Sequence, residues 1–422
     1  MTATFTLKAF LASGFLAEAE AWRDCLVRSV IDNPSDLQIM YAVGGTDHIP
    51  EQTLDWLPGY ASSRPVRVGN AAAIRPVVAP TRCRTRDCTG GEMRLERPTM
   101  NLPGTARNSR EMTMRVFVAG GTGVVGRPVV EALVDRGHQV TVSTRRHQGV
   151  SLVEGLGARP VLMNGLDEIE VGQVIVEAQP QVIVNLMTAL SVPSRDYGAW
   201  LAVTNRLRRE GTKALMKAAR EAGSLRVVAQ SASFMIQPGS GTTDESAPPY
   251  LDGPGPIGEH VKANIAAENL VLDTPGIEGV VLRYGFLYGE GTAIGPGGDI
   301  VTAVTAGEMP IVGDGAGQYP FVHVRDAASV TVAAVDRGGP GIYNVVDDEP
   351  APQSDWLPYL AQLLDAPRPR RISEEEAEEQ IGVQAVYYGN HLPAASNAKA
   401  KAELGFAPDY PSWRDGFRKL FG

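Results

Sequence analysis

The stretch VFVAGGTGVVGRPVVEALVDRG, residues 116–137, constrains most strongly what this chain can fold into. Gly120, Gly123 and Gly126 stand three apart, between an apolar run typical of a buried strand and an amphipathic helix pattern. A tight turn after a strand needs glycine's backbone freedom, and close approach of a pyrophosphate needs the absence of a side chain. The following helix N-terminus supplies amide hydrogens to the anion. The stretch therefore predicts a dinucleotide-binding strand–helix–strand unit.

From Met114 onward, apolar strand patterns alternate with amphipathic helix patterns. The predicted strands are RVFVAG, QVTVSTR, PVLMNG, QVIVNLM, RVVAQSAS and GVVLRYG, and the clearest helices are GRPVVEALVDRG and GTKALMKAAREAG. Such alternation predicts an α/β fold with a Rossmann-type, doubly wound parallel sheet. The Gly- and Pro-rich loops GEGTAIGPGGD and GDGAGQYP then break the rhythm. We expect a small C-terminal substrate-binding part there, mainly residues 285–320 and 345–422.

The residues expected to contact the dinucleotide lie in the glycine loop and after the next strands. The second strand ends in Thr144, Arg145 and Arg146, with no carboxylate to bind the ribose hydroxyls of NAD. Two guanidiniums can bind a 2′-phosphate, so NADP is favoured over NAD, although the pair could also be solvated surface arginines. Asp167 could accept from the adenine amino group or cap a helix. The full predicted set is Gly120, Thr122, Gly123, Val124, Val125, Gly126, Thr144, Arg145, Arg146, Asp167 and Met187.

Charge and cysteine content restrict the partners of the protein. The 422 residues include 39 Lys and Arg against 48 Asp and Glu, a net charge of -9, which argues against nucleic acid as a partner. No apolar run reaches the roughly 18 residues of a membrane span, and the N-terminal stretch lacks a leader pattern. Cys25, Cys83 and Cys88 have no nearby histidines, so no metal site is expected. We therefore expect a cytoplasmic protein that acts on a small molecule.

Seven ordered motifs carry a resemblance to a known family: GGTGVVG, NRLRREGTKALMKAA, VVAQSAS, VVLRYGFLYGEGT, GDGAGQYPFVHVRDAA, GIYNVVDDEP and NAKAKAELGFAP. Over residues 114–422 the chain resembles the extended short-chain dehydrogenases/reductases, which include sugar-nucleotide epimerases and dehydratases. The resemblance implies a nicotinamide above the carboxyl ends of the strands. It also implies hydride exchange with a carbonyl or alcohol carbon of a small substrate, such as a sugar derivative. Relatives often pair, so a homodimer is possible.

The chain departs from that family at the Tyr-x-x-x-Lys pair that normally moves the proton. In GPIGEHVKANIAAENLVL, Glu268 resembles the family's glutamate, and the positions four and eight residues before it are Asn264 and His260. Ser233 matches the family's catalytic serine, with Ser231 as the alternative. We hypothesise that His260 donates the proton, assisted by Ser233. The alternatives are a structural histidine and a non-catalytic NAD(P)-binding or sensing protein.

Four further residues follow later strands. Arg283 and Tyr284 come after the sixth predicted strand, near where substrate and nicotinamide would meet, so we expect them to line the substrate pocket. His323 and Asp326 fall where family members fasten the substrate part to the core. Asp326 is also a good candidate for a helix cap.

The first 113 residues have a different character. Trp22, Leu26 and Val30 stand four apart and predict a helix over 15–31. The phrases NPSDLQIMYAVGG and EQTLDWLPGYASSRPVRVGNAAA resemble glucoamylase- and trehalase-like glycoside hydrolases. We interpret residues 1–73 as a fragment of such an enzyme without hydrolase activity, because the barrel and its paired carboxylates are absent. Residues 74–113, rich in Arg, Pro, Thr and Gly, are predicted to be a disordered linker, and the enzyme is expected to begin at Met112 or Met114.

Overall fold

The computed structural model describes residues 113–190 and 197–422, together with the backbone of two short segments near the N-terminus. Within the unit Met1–Thr105, strand β1 (Gln52–Leu54) pairs antiparallel with β2 (Val66–Val68). The predicted helix over 15–31, the predicted linker up to residue 112 and the three cysteines lie outside the described residues. None of the helices described is long and apolar enough to cross a bilayer.

The second unit, Ala106–Gly422, contains the remaining elements in chain order. Its first part consists of β3 (Arg115–Ala119), α1 (Gly126–Asp135), β4 (Gln139–Thr144), α2 (Gln148–Gly155), β5 (Arg159–Leu162), α3 (Glu168–Ala178) and β6 (Val182–Asn185). Then come α4 (Tyr197–Arg206), a π-helical turn (Leu207–Gly211), α5 (Thr212–Glu221), β7 (Arg226–Ala232), β8 (Thr242–Thr243), α6 (Pro256–Leu272) and β9 (Glu278–Tyr284). The last part contains β10 (Phe286–Tyr288), α7 (Asp299–Thr305), β11 (Ile311–Val312), β12 (Gln318–Tyr319), β13 (Phe321–His323), α8 (Val324–Asp336), β14 (Gly341–Val345), β15 (Ala351–Pro352), α9 (Gln353–Leu363), β16 (Arg371–Ile372), α10 (Glu374–Gln380), α11 (Val383–Val386), a second π-helical turn (Tyr387–His391), β17 (Ala394–Ala395), a third (Ala400–Leu404) and α12 (Trp413–Phe421).

Seven parallel strands form one sheet in the order β14-β9-β7-β6-β3-β4-β5. The strand order reverses between β3 and β6, which creates the crevice where doubly wound sheets bind ligands. This confirms the Rossmann-type, doubly wound fold predicted from the alternation. All six predicted strands are present, and β14, within the quoted motif GIYNVVDDEP, is an additional strand at one edge.

The two faces of the sheet are covered by different helices because successive strand residues point to opposite sides. Val116 and Val118 of β3 pack into a core shared with α1 and α8. Phe117 and Ala119 pack into a second core shared with α3 and α5. All four side chains are buried, so β3 is apolar along its whole buried length, as expected for a central parallel strand.

The residues after β9 add a smaller aromatic core to the same unit. Its centre includes Phe321, Trp356, Trp413 and Phe417, contributed by β13, α9 and α12. His323 Nδ1 accepts from the backbone N–H of Arg325 (3.2 Å) and so caps α8, a role that the sequence suggested for Asp326.

Asp326 instead ties the C-terminal segment to α8. Its carboxylate accepts from the backbone N–H groups of Asp409 (2.9 Å) and Tyr410 (3.1 Å). The ring of Tyr410 stacks on His323, with 3.9 Å between the ring centroids. Both residues therefore fasten the chain after α8 to the core.

Candidate active site

The glycine loop closes tightly on itself at the reversal of the sheet. Gly120 has φ +86°, and a Cβ there would stand 2.6 Å from the carbonyl oxygen of Leu186, just after β6. A Cβ on Gly126 would stand 2.4 Å from the carbonyl oxygen of Gly120, while Gly123 N–H donates to that same oxygen (3.1 Å). The loop therefore has room for glycine only at Gly120 and Gly126, and it forms a cradle beside the end of β6.

The remaining loop residues are distributed around this cradle. Thr122 presents its carbonyl to Arg127 Nε (3.0 Å), which fastens the loop to the first turn of α1. Val125 is buried beneath the loop, whereas Val124 is 39% exposed. Val124 and the exposed Gly123 thus form the open face of the cradle.

At the end of β4, one polar side chain is buried and the two cationic side chains that follow it are exposed. Thr144 is buried, and its hydroxyl donates to the carbonyl of Arg146 (3.2 Å). The side chains of Arg145 and Arg146 are exposed, and no acid of the described chain forms an ion pair with either. Both guanidiniums are therefore available to a ligand anion at the carboxyl end of β4.

Asp167 follows β5, at one edge of the sheet, and Met187 follows β6, which pairs with β3. Asp167 is the N-cap of α3, where its Oδ1 accepts from the backbone N–H groups of Ile169 (3.0 Å) and Glu170 (3.1 Å). This contact is the helix-cap alternative stated above. The backbone N–H of Met187 donates to Asn185 Oδ1 (3.2 Å), which orders the chain leaving β6 beside the glycine loop.

A buried ion pair lies behind the end of β7. Arg283 donates to both carboxylate oxygens of Glu268, at 2.8 and 2.6 Å, and Ser231 Oγ donates to one of them (2.6 Å). The hydroxyl of Ser233 donates to the carbonyl oxygen of Tyr284 (3.3 Å). Ser231, Ser233, Glu268 and Arg283 are all buried. These contacts favour a packing role for Arg283 over the pocket-lining role expected from its position.

Tyr284 also points into the interior. Its hydroxyl is hydrogen-bonded to Thr331 Oγ1 of α8 (2.6 Å), and burial raises its pKa above the ordinary range. The side chain belongs to the core shared with α1 and α8. Its geometry therefore favours a structural role as well.

His260 and Asn264 lie on the buried face of α6, where the family's Tyr-x-x-x-Lys pair was expected. His260 Nδ1 is 3.0 Å from Arg208 Nη1 and 3.1 Å from Asn205 Oδ1, and the side chain of Asn264 donates to the His260 carbonyl (2.8 Å). Burial, reinforced by the charge of Arg208, holds the pKa of His260 well below its ordinary range. The ring is therefore neutral at neutral pH and is a poor proton donor.

Sequence reasoning missed Arg208 and the tyrosines close to it. Arg208 belongs to the first π-helical turn, burial lowers the pKa of its guanidinium to about 10, and its charge acts on the hydroxyl of Tyr197. Tyr197 and Tyr388 are hydrogen-bonded to each other (3.2 Å), and burial raises the pKa of both hydroxyls. The sequence carried no signal for this cluster, because its members are far apart in the chain and a π-helical turn has no recognisable pattern.

A metal site is not evident in the part of the chain that the structure describes. No group of three or more His, Cys, Asp or Glu side chains there is placed to hold an ion.

Comparison with known proteins identifies both parts of the chain. The sequence profile described as the NAD dependent epimerase/dehydratase family matches residues 116–345, and that of glycosyl hydrolases family 15 matches residues 3–76. The chain is 41% identical over 305 residues to a 3-diazoavenalumate denitrifying reductase of a Streptomyces species, covering 72% of this chain and 99% of the relative. It is 29% identical over 255 residues to a 4-hydroxy-2-methyl-3-oxo-4-farnesyl-3,4-dihydroquinoline-1-oxide ketoreductase of Stigmatella aurantiaca, covering 59% and 73%.

Solved structures show the same fold. A dTDP-glucose 4,6-dehydratase from Streptomyces venezuelae, with NAD and TYD bound, matches with a TM-score of 0.59 at 21% identity, covering 73% of this chain and 96% of that one. The glycine cradle and sheet order thus define a dinucleotide-binding enzyme of the short-chain dehydrogenase/reductase superfamily. Within it, the chain belongs to the NAD dependent epimerase/dehydratase family, and its residues 3–76 match glycosyl hydrolases family 15. Both resemblances stated from the motifs are confirmed.

Proposed function

We propose that this protein is an NADPH-dependent reductase that replaces the diazo group of a small aromatic substrate by hydrogen. The relative at 41% identity, matched over 99% of its length, is named as a denitrifying reductase of a diazo compound. This substrate differs from the carbonyl or alcohol substrate, such as a sugar derivative, that was expected from the family resemblance. The reaction remains a hydride transfer to carbon.

The observation that carries the proposal is that His260 and Asn264, at the two positions of the family's Tyr-x-x-x-Lys pair, are poorly suited to donate a proton. Hydride addition to a carbonyl leaves an alkoxide that must be protonated, which is the task of the family's Tyr-x-x-x-Lys pair. In its place stand a neutral, buried His260 and the amide Asn264. An aryl diazonium carbon that accepts hydride gains a C–H bond while its C–N bond breaks. The electron pair of that bond leaves with N₂, so no side chain needs to supply a proton.

The chain fits the dinucleotide that this reaction requires. A Cβ at Gly120 or Gly126 would fill the cradle, so these glycines leave the loop amides approachable by a pyrophosphate at the start of α1. Thr122, Gly123, Val124 and Val125 complete that loop, and Asp167 and Met187, which follow β5 and β6, are the other residues proposed to contact the dinucleotide. When bound, a reduced nicotinamide supplies the hydride.

The test uses the full chain, NADPH and the 3-diazo derivative of 4-hydroxycinnamate. We expect one N₂ released per NADPH oxidised, and deuterium from NADPH labelled at nicotinamide C4 should appear on the ring carbon that carried nitrogen. Release of N₂ without deuterium transfer, or no consumption of either compound, would rule out the proposal. A ring analogue that carries an amino group in place of the diazo group is the matched control and should not react.

We further propose that Arg145 and Arg146 select NADPH by binding its 2′-phosphate. Changing both to glutamine should weaken NADPH binding by about tenfold or more while leaving NADH binding nearly unchanged, because only the phosphate contacts are lost. Nicotinamide fluorescence titrations measure both affinities. Arg159→Gln, at the opposite end of the strands on β5, is the control and should change neither. An equal loss of affinity for NADPH and NADH would show that these arginines do not bind the 2′-phosphate.

A carbonyl substrate is the second candidate, favoured by the 29% identity to a ketoreductase. It predicts NADPH oxidation with a panel of aryl ketones and none with the diazo compound. Tight NADPH binding without turnover on either panel would indicate a non-catalytic sensor. A homodimer and a cytoplasmic location stay predictions from the sequence.

A further inference from the structure

Arg208 differs from its neighbours on the same helical segment by its charge environment. Arg206 pairs with Glu210 (2.8 Å), and Arg209 lies 3.6 Å from Glu259. Arg208 forms no ion pair with any acid in the described ranges, and its hydrogen bonds there, to His260 and to Asn205 Oδ1, all use Nη1. Within the described ranges neither Nε nor Nη2 is hydrogen-bonded, and partial burial of a guanidinium without a counter-charge is unfavourable, so these two atoms suit an anionic group.

Arg208 lies near the place where the nicotinamide end of the dinucleotide is expected. Together with Asn185 of β6 and Gln230 of β7, it lines a small cavity next to these two strands, which Glu268, already paired with Arg283, also lines. Ligands of doubly wound sheets bind outside the carboxyl ends of the strands, near the reversal between β3 and β6. An anion held by Arg208 would therefore lie close to the expected nicotinamide position.

An aromatic wall made of Phe234, Phe286, Tyr388 and Tyr197 approaches this cation through Tyr197, on whose hydroxyl the charge of Arg208 acts. Phe234 follows Ser233 directly and stacks on Phe286, with 4.2 Å between centroids. Tyr388 meets both rings edge-on, at 6.0 and 5.7 Å, and its hydroxyl reaches Tyr197. All four side chains are only partly buried. A wall of partly exposed rings suits a planar aromatic ligand.

We propose that Arg208 binds the carboxylate of an aromatic acid whose ring packs against the aromatic wall. The inference rests on the proposed function and names the substrate class: an aryl carboxylate rather than a neutral arene or a sugar nucleotide. The planar guanidinium fork matches a carboxylate in a bidentate geometry, which gives Arg208 both orientation and affinity. The carboxylate then fixes where the ring carbons lie relative to the dinucleotide.

The test compares binding of 4-hydroxycinnamate and 4-hydroxycinnamamide to the full chain saturated with NADP⁺, by isothermal titration calorimetry. The wild-type protein should bind the acid about tenfold or more tightly than the amide, since the two differ in charge and hardly in shape. Arg208→Gln should remove this difference by weakening the acid alone, and Arg208→Lys should retain part of it. Arg209→Gln, on the adjacent exposed arginine, is the control and should keep the wild-type difference.

Three results would overturn the inference: equal binding of acid and amide by the wild-type protein, equal weakening of both by Arg208→Gln, or a loss of NADP⁺ affinity in that variant. The wild-type comparison decides the matter even if Arg208→Gln does not fold. Binding and turnover separate the two proposals. Acid-selective binding without N₂ release refutes the diazo reaction alone, whereas N₂ release without acid selectivity refutes the role of Arg208 alone.

Discussion

Replacing Gly126 by alanine is expected to abolish measurable NADPH binding, with an apparent Kd raised by at least about two orders of magnitude. The added Cβ would stand 2.4 Å from the Gly120 carbonyl oxygen and 2.7 Å from two backbone atoms of Gly121. Backbone atoms cannot rotate away as a side chain can, so the loop must open. Its amide N–H groups would then no longer point at the pyrophosphate. Nicotinamide fluorescence on titration with NADPH measures the effect.

Gly172→Ala is the matched control, because a Cβ added to this helical glycine of α3 would have nothing within 4 Å. That variant should bind NADPH normally and be slightly more stable, since alanine has the higher helix propensity. Circular dichroism should show that Gly126→Ala still folds. Normal NADPH binding by a folded Gly126→Ala protein would mean that the dinucleotide does not lie against this loop.

Replacing Glu268 by alanine is expected to lower the free energy of unfolding by about 3–5 kcal/mol, the cost typical of breaking a buried ion pair. Glu268 and Arg283 retain only 3% and 8% of their side-chain exposure, and the carboxylate also accepts from Ser231. The alanine variant would leave the Arg283 guanidinium buried without a counter-charge. Urea-induced unfolding followed by far-ultraviolet circular dichroism measures the loss.

A double variant, Glu268→Leu with Arg283→Met, separates charge from packing. It removes both charges together and should recover much of the lost stability, because no unpaired ion remains buried. Glu168→Ala is the surface control: the Glu168–Lys217 pair is 2.6 Å long, but both side chains are about 60% exposed. That change should hardly alter the unfolding midpoint. A Glu268→Ala midpoint equal to that of Glu168→Ala would contradict the structural role assigned to the buried pair.

The sheet could be predicted from the sequence because its strands are buried on both faces and are therefore apolar throughout. The glycine loop could also be predicted, because the positions of Gly120 and Gly126 leave no space for a side chain. This steric requirement is visible in the sequence as glycine at both positions. The strand β14 was harder to recognise, since its core GIYNV contains a glycine and an asparagine and lies at the sheet edge.

The site chemistry depended on contacts that the sequence does not display. The hypothesis of a proton-donating His260 rested on an ordinary imidazole pKa, yet burial and Arg208, 52 residues earlier, lower that pKa. The ion pair between Arg283 of β9 and Glu268 of α6 likewise forms only in the folded chain, so no sequence pattern indicates it. Motif position indicated where these residues lie but not what they touch.

The π-helical turn at Leu207–Gly211 makes the direction of the Arg208 side chain sensitive to chain length. Each residue of an α-helix advances by about 100° around the axis, so one inserted or deleted residue redirects every side chain beyond it. We expect that removal of one residue from this turn would direct the Arg208 guanidinium away from its cavity, whereas the sheet and the glycine loop belong to other segments. If Arg208 selects the substrate as proposed, a change in chain length here would alter the class of substrate without any change of residue type.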